Sequence, residues 1–118
     1  LSSPVPYIKI DELDIALHKR AVVYYHGAWS GPSVRVYRLL QQKLGSLKDP
    51  PALLVLDADD FIKCTDGQRR KLQQLFGPET GGFGETCWIK DGHVMAQDIL
   101  AKLQTEQVLE QRLKELYS

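Results

Sequence analysis

AVVYYHGAWSGPSVRVYRLL, residues 21–40, joins two hydrophobic periods with only a short turn between them. Ala21 to Tyr25 is a β-branched and aromatic run, the composition of a short strand buried on both faces. Further on, Val36, Leu39, Leu40 and Leu44 recur at helical spacing, and Gly45 stands where a C-terminal cap belongs. The turn between them is WSGPS, residues 29–33, which predicts a helix beginning at or just after Ser30. An apolar strand that leads straight into an amphipathic helix needs covering layers on both sides, and this points to an α/β fold.

The rest of the chain extends that pattern in both directions. Upstream, Tyr7 to Ile10 reads as a strand, and Asp11 caps a predicted helix over ELDIALHK, where Leu13, Ile15, Ala16 and Leu17 share a face. Downstream, LKDPP is a turn and ALLVLD a third buried strand, followed by a helix from Gln68 to Phe76. GPETGGFG, residues 77–84, reads as a glycine-rich loop. Thr86 to Lys90 and His93 to Ile99 flank Asp91-Gly92, a pair that supplies the positive φ angles of a tight hairpin. Thr105 is an N-cap, and Leu109, Leu113 and Leu116 line the last helix. The predicted order is β α β α β α β β α in a single domain over residues 1–118, with a central mixed sheet flanked by helices.

Composition limits what such a domain does. Lys+Arg and Asp+Glu balance at 15 each, so no net field draws the protein to nucleic acid or an anionic membrane surface. No apolar stretch reaches the roughly 20 residues of a membrane helix. A cytoplasmic location is expected, with a periplasmic or secreted one left open. Two cysteines and three histidines, all scattered, give no metal-ligand spacing, so neither metal nor cofactor is expected.

The element order, VVYYHGAWSGPS and the hairpin WIKDGHV together resemble the thioredoxin family over nearly the whole chain. The most specific part is the apolar strand, then Ala-Trp-X-Gly-Pro-X, then the amphipathic helix. The resemblance implies a thioredoxin-like three-layer sandwich with the second strand central, the third on one side of it and the fourth on the other. It also implies a redox cysteine at each X, the first with its thiolate stabilised at a helix N-terminus. Those positions are Ser30 and Ser33 here. A hydroxyl forms no disulfide, so the site carries no thiol exchange as written. Other family positions differ as well. The buried proton-accepting carboxylate falls at Tyr24, the proline that kinks the second helix at Arg38, and the cis-proline near Gly84. The segment from 59 to 84 is longer than in a minimal family member and reads as this chain's own specialisation.

Two functional readings follow from the resemblance. The first is a polypeptide-binding, chaperone-type or protein-interaction module. Its surface is formed by Trp29, Gly31 and Pro32 at the turn and by Gly82, Phe83, Gly84 and Glu85 of the glycine-rich loop, whose backbone would pair with an extended peptide. The second is a thiol-disulfide oxidoreductase whose cysteines were replaced by serine. The partner expected in the first reading is a protein or extended peptide, and the oligomeric state is open. Trp29 is expected to be half exposed because it falls on the loop, while Tyr24 and Tyr25 point to opposite faces of their strand and enter the core.

Other chemistry is poorly supported. Pairing Ser30 with His26 and Asp57 or Asp59 lacks a nucleophile elbow and a marked oxyanion hole. Ser33 is expected to reach unpaired N–H groups at the helix start. GPETGGFGE lacks the Lys-Ser/Thr of a phosphate loop. DADD, residues 57–60, lacks EF-hand spacing, and Arg69, Arg70 and Lys71 read as a solvated basic turn. Cys64 and Cys87 are expected as free thiols, too far apart in such a sheet to bridge.

Overall fold

The computed structural model describes residues 5–78 and 81–118, so Glu79 and Thr80 of the glycine-rich segment lie outside the described residues. Strand β1 (Tyr7–Ile8) is followed by β2 (Arg20–His26), helix α1 (Gly31–Gly45) and β3 (Ala52–Asp57). Helix α2 (Asp66–Phe76), strands β4 (Phe83–Lys90) and β5 (His93–Asp98), and helix α3 (Glu106–Leu116) complete the order. The strands form one mixed five-stranded sheet in the order β1-β3-β2-β4-β5. Strand β2 is central, parallel to β3 with Tyr25 opposite Leu56 and antiparallel to β4 with Tyr25 opposite Glu85.

Alternation along β2 builds two cores. Val22 and Tyr24 face α1 and α3, where they meet Val36, Leu40, Leu109, Leu113 and Leu116. Ala21, Val23 and Tyr25 face the other way, toward α2 with Leu72, Leu75 and Phe76. All of Ala21 to His26 is buried, which is why the run carries no polar alternation. The architecture is therefore α/β, a mixed sheet with helices on both faces.

The segment expected to form the first helix departs from expectation. ELDIALHK folds as two short 3₁₀ turns, Ile10–Glu12 and Ile15–Leu17, and Leu17 is 79% exposed. Only Leu13 of the predicted apolar face is buried. Side chains and neighbouring segments bind the backbone groups that a helix would have used. The Asp14 carboxylate accepts from Ala16 N at 3.1 Å, and the Lys71 ammonium donates to the carbonyls of Ile10 and Leu13. The hairpin turn takes two more, with Asp91 N bonded to Lys19 O and Gly92 N to His18 O. Five residues at most would have propagated such a helix beyond its costly first turn, so these bonds decide the outcome.

Smaller corrections concern element ends. Strand β1 stops at Ile8, two residues before the first 3₁₀ turn begins at Ile10, and β5 stops at Asp98. Helix α2 starts at Asp66 because Thr65 and Gln68 form a reciprocal capping box. Gly45 is the last residue of α1 and Ser46 the cap, so no left-handed glycine ends that helix. Strand β4 begins at Phe83, three residues earlier than expected, and takes Phe83, Gly84 and Glu85 out of the loop. Thr105 caps α3 as expected, accepting from Val108 N at 3.3 Å. Among the described residues no helix is long and apolar enough to cross a membrane.

Candidate functional site

The site grows from the C-terminal end of β2. His26 closes the strand, residues 27–30 turn, and Ser30 caps α1 by accepting from Ser33 N at 3.3 Å. Pro32 stands in the first turn of α1, where its missing N–H costs nothing. Gly27 has no room for a side chain, since a Cβ would stand 2.4 Å from Gly82 O and 3.0 Å from the Trp29 ring. That absence lets the indole lie across the turn.

Trp29 is 57% exposed, as expected, and is fixed in orientation on two sides. Its indole N–H donates to Asp59 Oδ1 at 3.0 Å, and its ring meets Phe83 edge-on with centroids 5.2 Å apart. Phe83 is itself 53% exposed. Beside them Gly31, Pro32 and Arg35 form a low ridge, with Phe83, Leu100 and Ala101 lining a shallow groove on one flank. Ala28, Trp29, Val34 and Arg38 line another on the far flank. Exposed Leu100 and Leu103 extend the apolar surface.

The glycine-rich strand start differs from the expected open loop. Gly82, Gly84 and Glu85 are buried, and of the expected loop residues from 82 to 85 only Phe83 faces out. The Glu85 carboxylate turns back on its own segment, accepting from Gly81 N at 2.5 Å, Gly82 N at 3.2 Å and Phe83 N at 2.7 Å. Those donors are therefore engaged internally and are not open to pair with a peptide strand. What Phe83 presents to solvent is its ring.

Beneath the exposed face lies a buried polar network that the sequence reading did not anticipate. Ser33 is fully buried, and its hydroxyl accepts from Gly27 N at 3.1 Å rather than from the helix start. Tyr24 donates to the Ser33 carbonyl at 2.6 Å, so its one proton is committed. His26 Nδ1 lies 2.7 Å from Ser33 Oγ, against 3.3 Å for the Tyr24 oxygen. The direction of the Ser33–His26 bond goes with the imidazole tautomer: the hydroxyl donates to Nδ1 in the Nε2–H form and accepts from it in the Nδ1–H form. Rings of Tyr7, Tyr24 and Tyr37 pack around His26, Tyr37 closest at 4.8 Å. This burial lowers the imidazole pKa below its ordinary value, partly opposed by Asp57.

Ser33 and His26 thus have the contact of a nucleophile and base, but Ser33 presents no surface to a substrate. Ser30 is 4% exposed and occupied as the cap. Signals for the network were present: Tyr24 and His26 share one face of β2, and Ser33 falls on the inward face of α1 with Val36, Tyr37 and Leu40.

Tyr24 and Gly84 fit each other. A Cβ on Gly84 would stand 2.9 Å from the Tyr24 hydroxyl and 3.4 Å from Ala101 Cβ, and Gly84 has a φ of +99°. Tyrosine at one position therefore calls for glycine at the other. Gln104, also fully buried, closes this corner by donating to Gly84 O at 2.7 Å while accepting from Thr86 Oγ1 at 2.6 Å. Cys64 and Cys87 are free, and burial pushes the Cys87 thiol up to about 12, which leaves it unreactive at neutral pH.

The lowered imidazole pKa sets a pH dependence. The folded state binds the His26 proton less readily than the unfolded state, whose value is near the ordinary 6.5. Stability is therefore complete above that value and declines as pH falls from it toward the lower folded pKa. Thermal melts between pH 7.5 and 5 should show a shallower decline for His26→Gln than for the natural sequence. Equal slopes would show that His26 is not the titrating group.

Compared with protein-family models and with curated protein sequences, the chain matches none.

Proposed function

We propose that the protein is a thioredoxin-like binding module without redox chemistry, which holds an extended polypeptide across Trp29, Pro32, Phe83 and Leu100. One observation carries this reading: two aromatic rings, each more than half exposed, meet edge-on at 5.2 Å beside the start of α1. Rigid aromatics bury large area at small entropic cost, which is why they dominate recognition surfaces. The thioredoxin-like topology is supported by the central position of β2 between β3 and β4, with the Trp-Ser-Gly-Pro-Ser turn at its C-terminal end.

The reading as a binding module is also supported by what surrounds Ser33. Its hydroxyl serves Gly27 N and His26 at once, a role suited to an oxygen, and Tyr24 stands where a redox member of the family has a carboxylate. A protein of this design gains little from restored thiols. Ser30→Cys/Ser33→Cys is expected to reduce insulin only weakly, because Tyr24 stands in place of the family's proton-accepting carboxylate. Turnover at the level of an ordinary thioredoxin would favour the oxidoreductase alternative.

Binding itself is tested by NMR titration with a carboxymethylated, permanently unfolded polypeptide. Saturable shifts are expected at the Trp29 indole N–H and at the amides of Phe83 and Leu100. No binding, or shifts confined to the α2 face of the sheet, would defeat the proposal.

A further inference from the structure

On the opposite face of the sheet from Trp29's supporting helix, a second cavity lies between the 3₁₀ turn at Ile10–Glu12, the end of β3 and the start of α2. Its volume is about 230 Å³ and it opens to solvent on one side. Ile8, Tyr25, Leu56, Phe61 and Leu72 supply an apolar lining. A cavity of roughly 150 Å³ lined by such side chains is enough for benzene, so this one accommodates a substituted ring.

Its distinguishing feature is the Tyr25 hydroxyl. Tyr25 is 1% exposed, its ring stacks on Phe76 at 5.5 Å, and its backbone is paired in the sheet on both sides. The hydroxyl bonds to no described residue, and it is not sealed in, since Arg69 Nε is the one fully buried polar side-chain atom without a partner among the described residues; the Tyr25 oxygen therefore opens on the cavity. A hydroxyl without an internal partner at a cavity wall is free to bond whatever fills the cavity, solvent or ligand. The contrast with Tyr24 on the other face is direct, since that hydroxyl is bonded within the fold. Burial raises the Tyr25 pKa, with Cys64, Asp57 and Asp60 all acting in the same direction, so the phenol is neutral and able to donate.

The rim carries three carboxylates against two ammonium groups, a near balance that draws in no strongly charged ligand. Lys9 and Lys63 stand against Asp57 and Asp60, while Asp11 is held by the Gln68 amide at 3.1 Å from each oxygen. We infer that this cavity is a binding site for a small uncharged aromatic molecule bearing one hydrogen-bonding oxygen, whose ring fills the apolar lining and whose oxygen pairs with the Tyr25 hydroxyl. The site is separate from the Trp29 surface and does not depend on polypeptide binding.

The test is an amide NMR titration of the full chain with p-cresol, and with toluene as the same ring lacking the oxygen. For the natural sequence, p-cresol is expected to give saturable shifts at Ile8, Leu56 and Cys64. Tyr25→Phe should weaken p-cresol about three- to tenfold, the value of one hydrogen bond, and leave toluene unchanged. Because the hydroxyl has no internal partner, Tyr25→Phe is also expected to melt no lower than the natural protein. Cys64→Leu, a larger side chain at a partly exposed position of the lining, should weaken both probes. Absence of saturable shifts at those amides, equal p-cresol binding by Tyr25→Phe, or unfolding of that variant would each overturn the assignment.

Discussion

Gly82→Ala is expected to destabilise the protein by about 2–5 kcal/mol, the sum of left-handed backbone strain and overpacking. Gly82 has a φ of +80°, and a Cβ there would stand 2.2 Å from the Ala58 Cβ. Neither neighbour is free to withdraw. Ala58 begins the 3₁₀ turn Ala58–Lys63 at the end of β3, and the Gly82 carbonyl is already pressed against Gly27. A loss of this size is a large share of the roughly 5–15 kcal/mol that separates folded from unfolded domains. Gly31→Ala is the matched control. No atom lies within 4 Å of its added methyl, and its φ is not positive, so that variant should be neutral or slightly more stable. Urea unfolding of the two variants decides the point. Similar midpoints would mean that the backbone around Gly82 relaxes easily and that the platform it supports is not rigid.

The elements that were legible in the sequence share one property: their side chains point the same way whatever the rest of the chain does. Ala21 to Tyr25 is a β-branched and aromatic run because both faces of the central strand are covered, and Val36, Leu40 and Leu44 mark the inward face of α1 by spacing alone. The Asp91-Gly92 turn is equally local, with φ angles of 52° and 79°. The first predicted helix failed because its backbone is settled by partners far away in sequence, Lys71 and the hairpin turn. Helical spacing over eight residues has no means of registering those bonds.

The candidate site divides in the same way. Trp29 was legible because a large aromatic on a turn has few places to hide. Its contact with Phe83 was not, since it depends on where β4 begins. The expected peptide-pairing loop was misread because glycines suggest open backbone, whereas Glu85, four residues after Gly81, reaches back and binds the amides itself. A carboxylate just after a glycine cluster is the signal that reading overlooked. The hydroxyl of Tyr24 belongs to the same class. It becomes meaningful only when α1 brings Ser33 over the strand.

Trp29→Ala is expected to weaken polypeptide binding by about 2 kcal/mol or more, roughly thirtyfold in Kd, if the Trp29–Phe83 surface is the recognition site. The size of the effect comes from preorganisation as well as area. With its N–H on Asp59 and its edge against Phe83, the indole has already lost the rotamer freedom that binding would otherwise remove. Asp59→Ala should therefore weaken binding too, by less than Trp29→Ala, since the ring remains but is no longer held. Stability should respond in a different order. Trp29 is more than half exposed and Asp59 is exposed, so each variant is expected to lose no more than about 1 kcal/mol on unfolding. Isothermal titration with the unfolded polypeptide, run beside urea unfolding, separates the two quantities. If Trp29→Ala binds as tightly as the natural protein, the exposed indole is not the anchor. If it loses several kcal/mol of stability instead, the ring is part of the fold's support for Gly27 and the α1 start, and recognition must be sought on the Phe83–Leu100 flank alone.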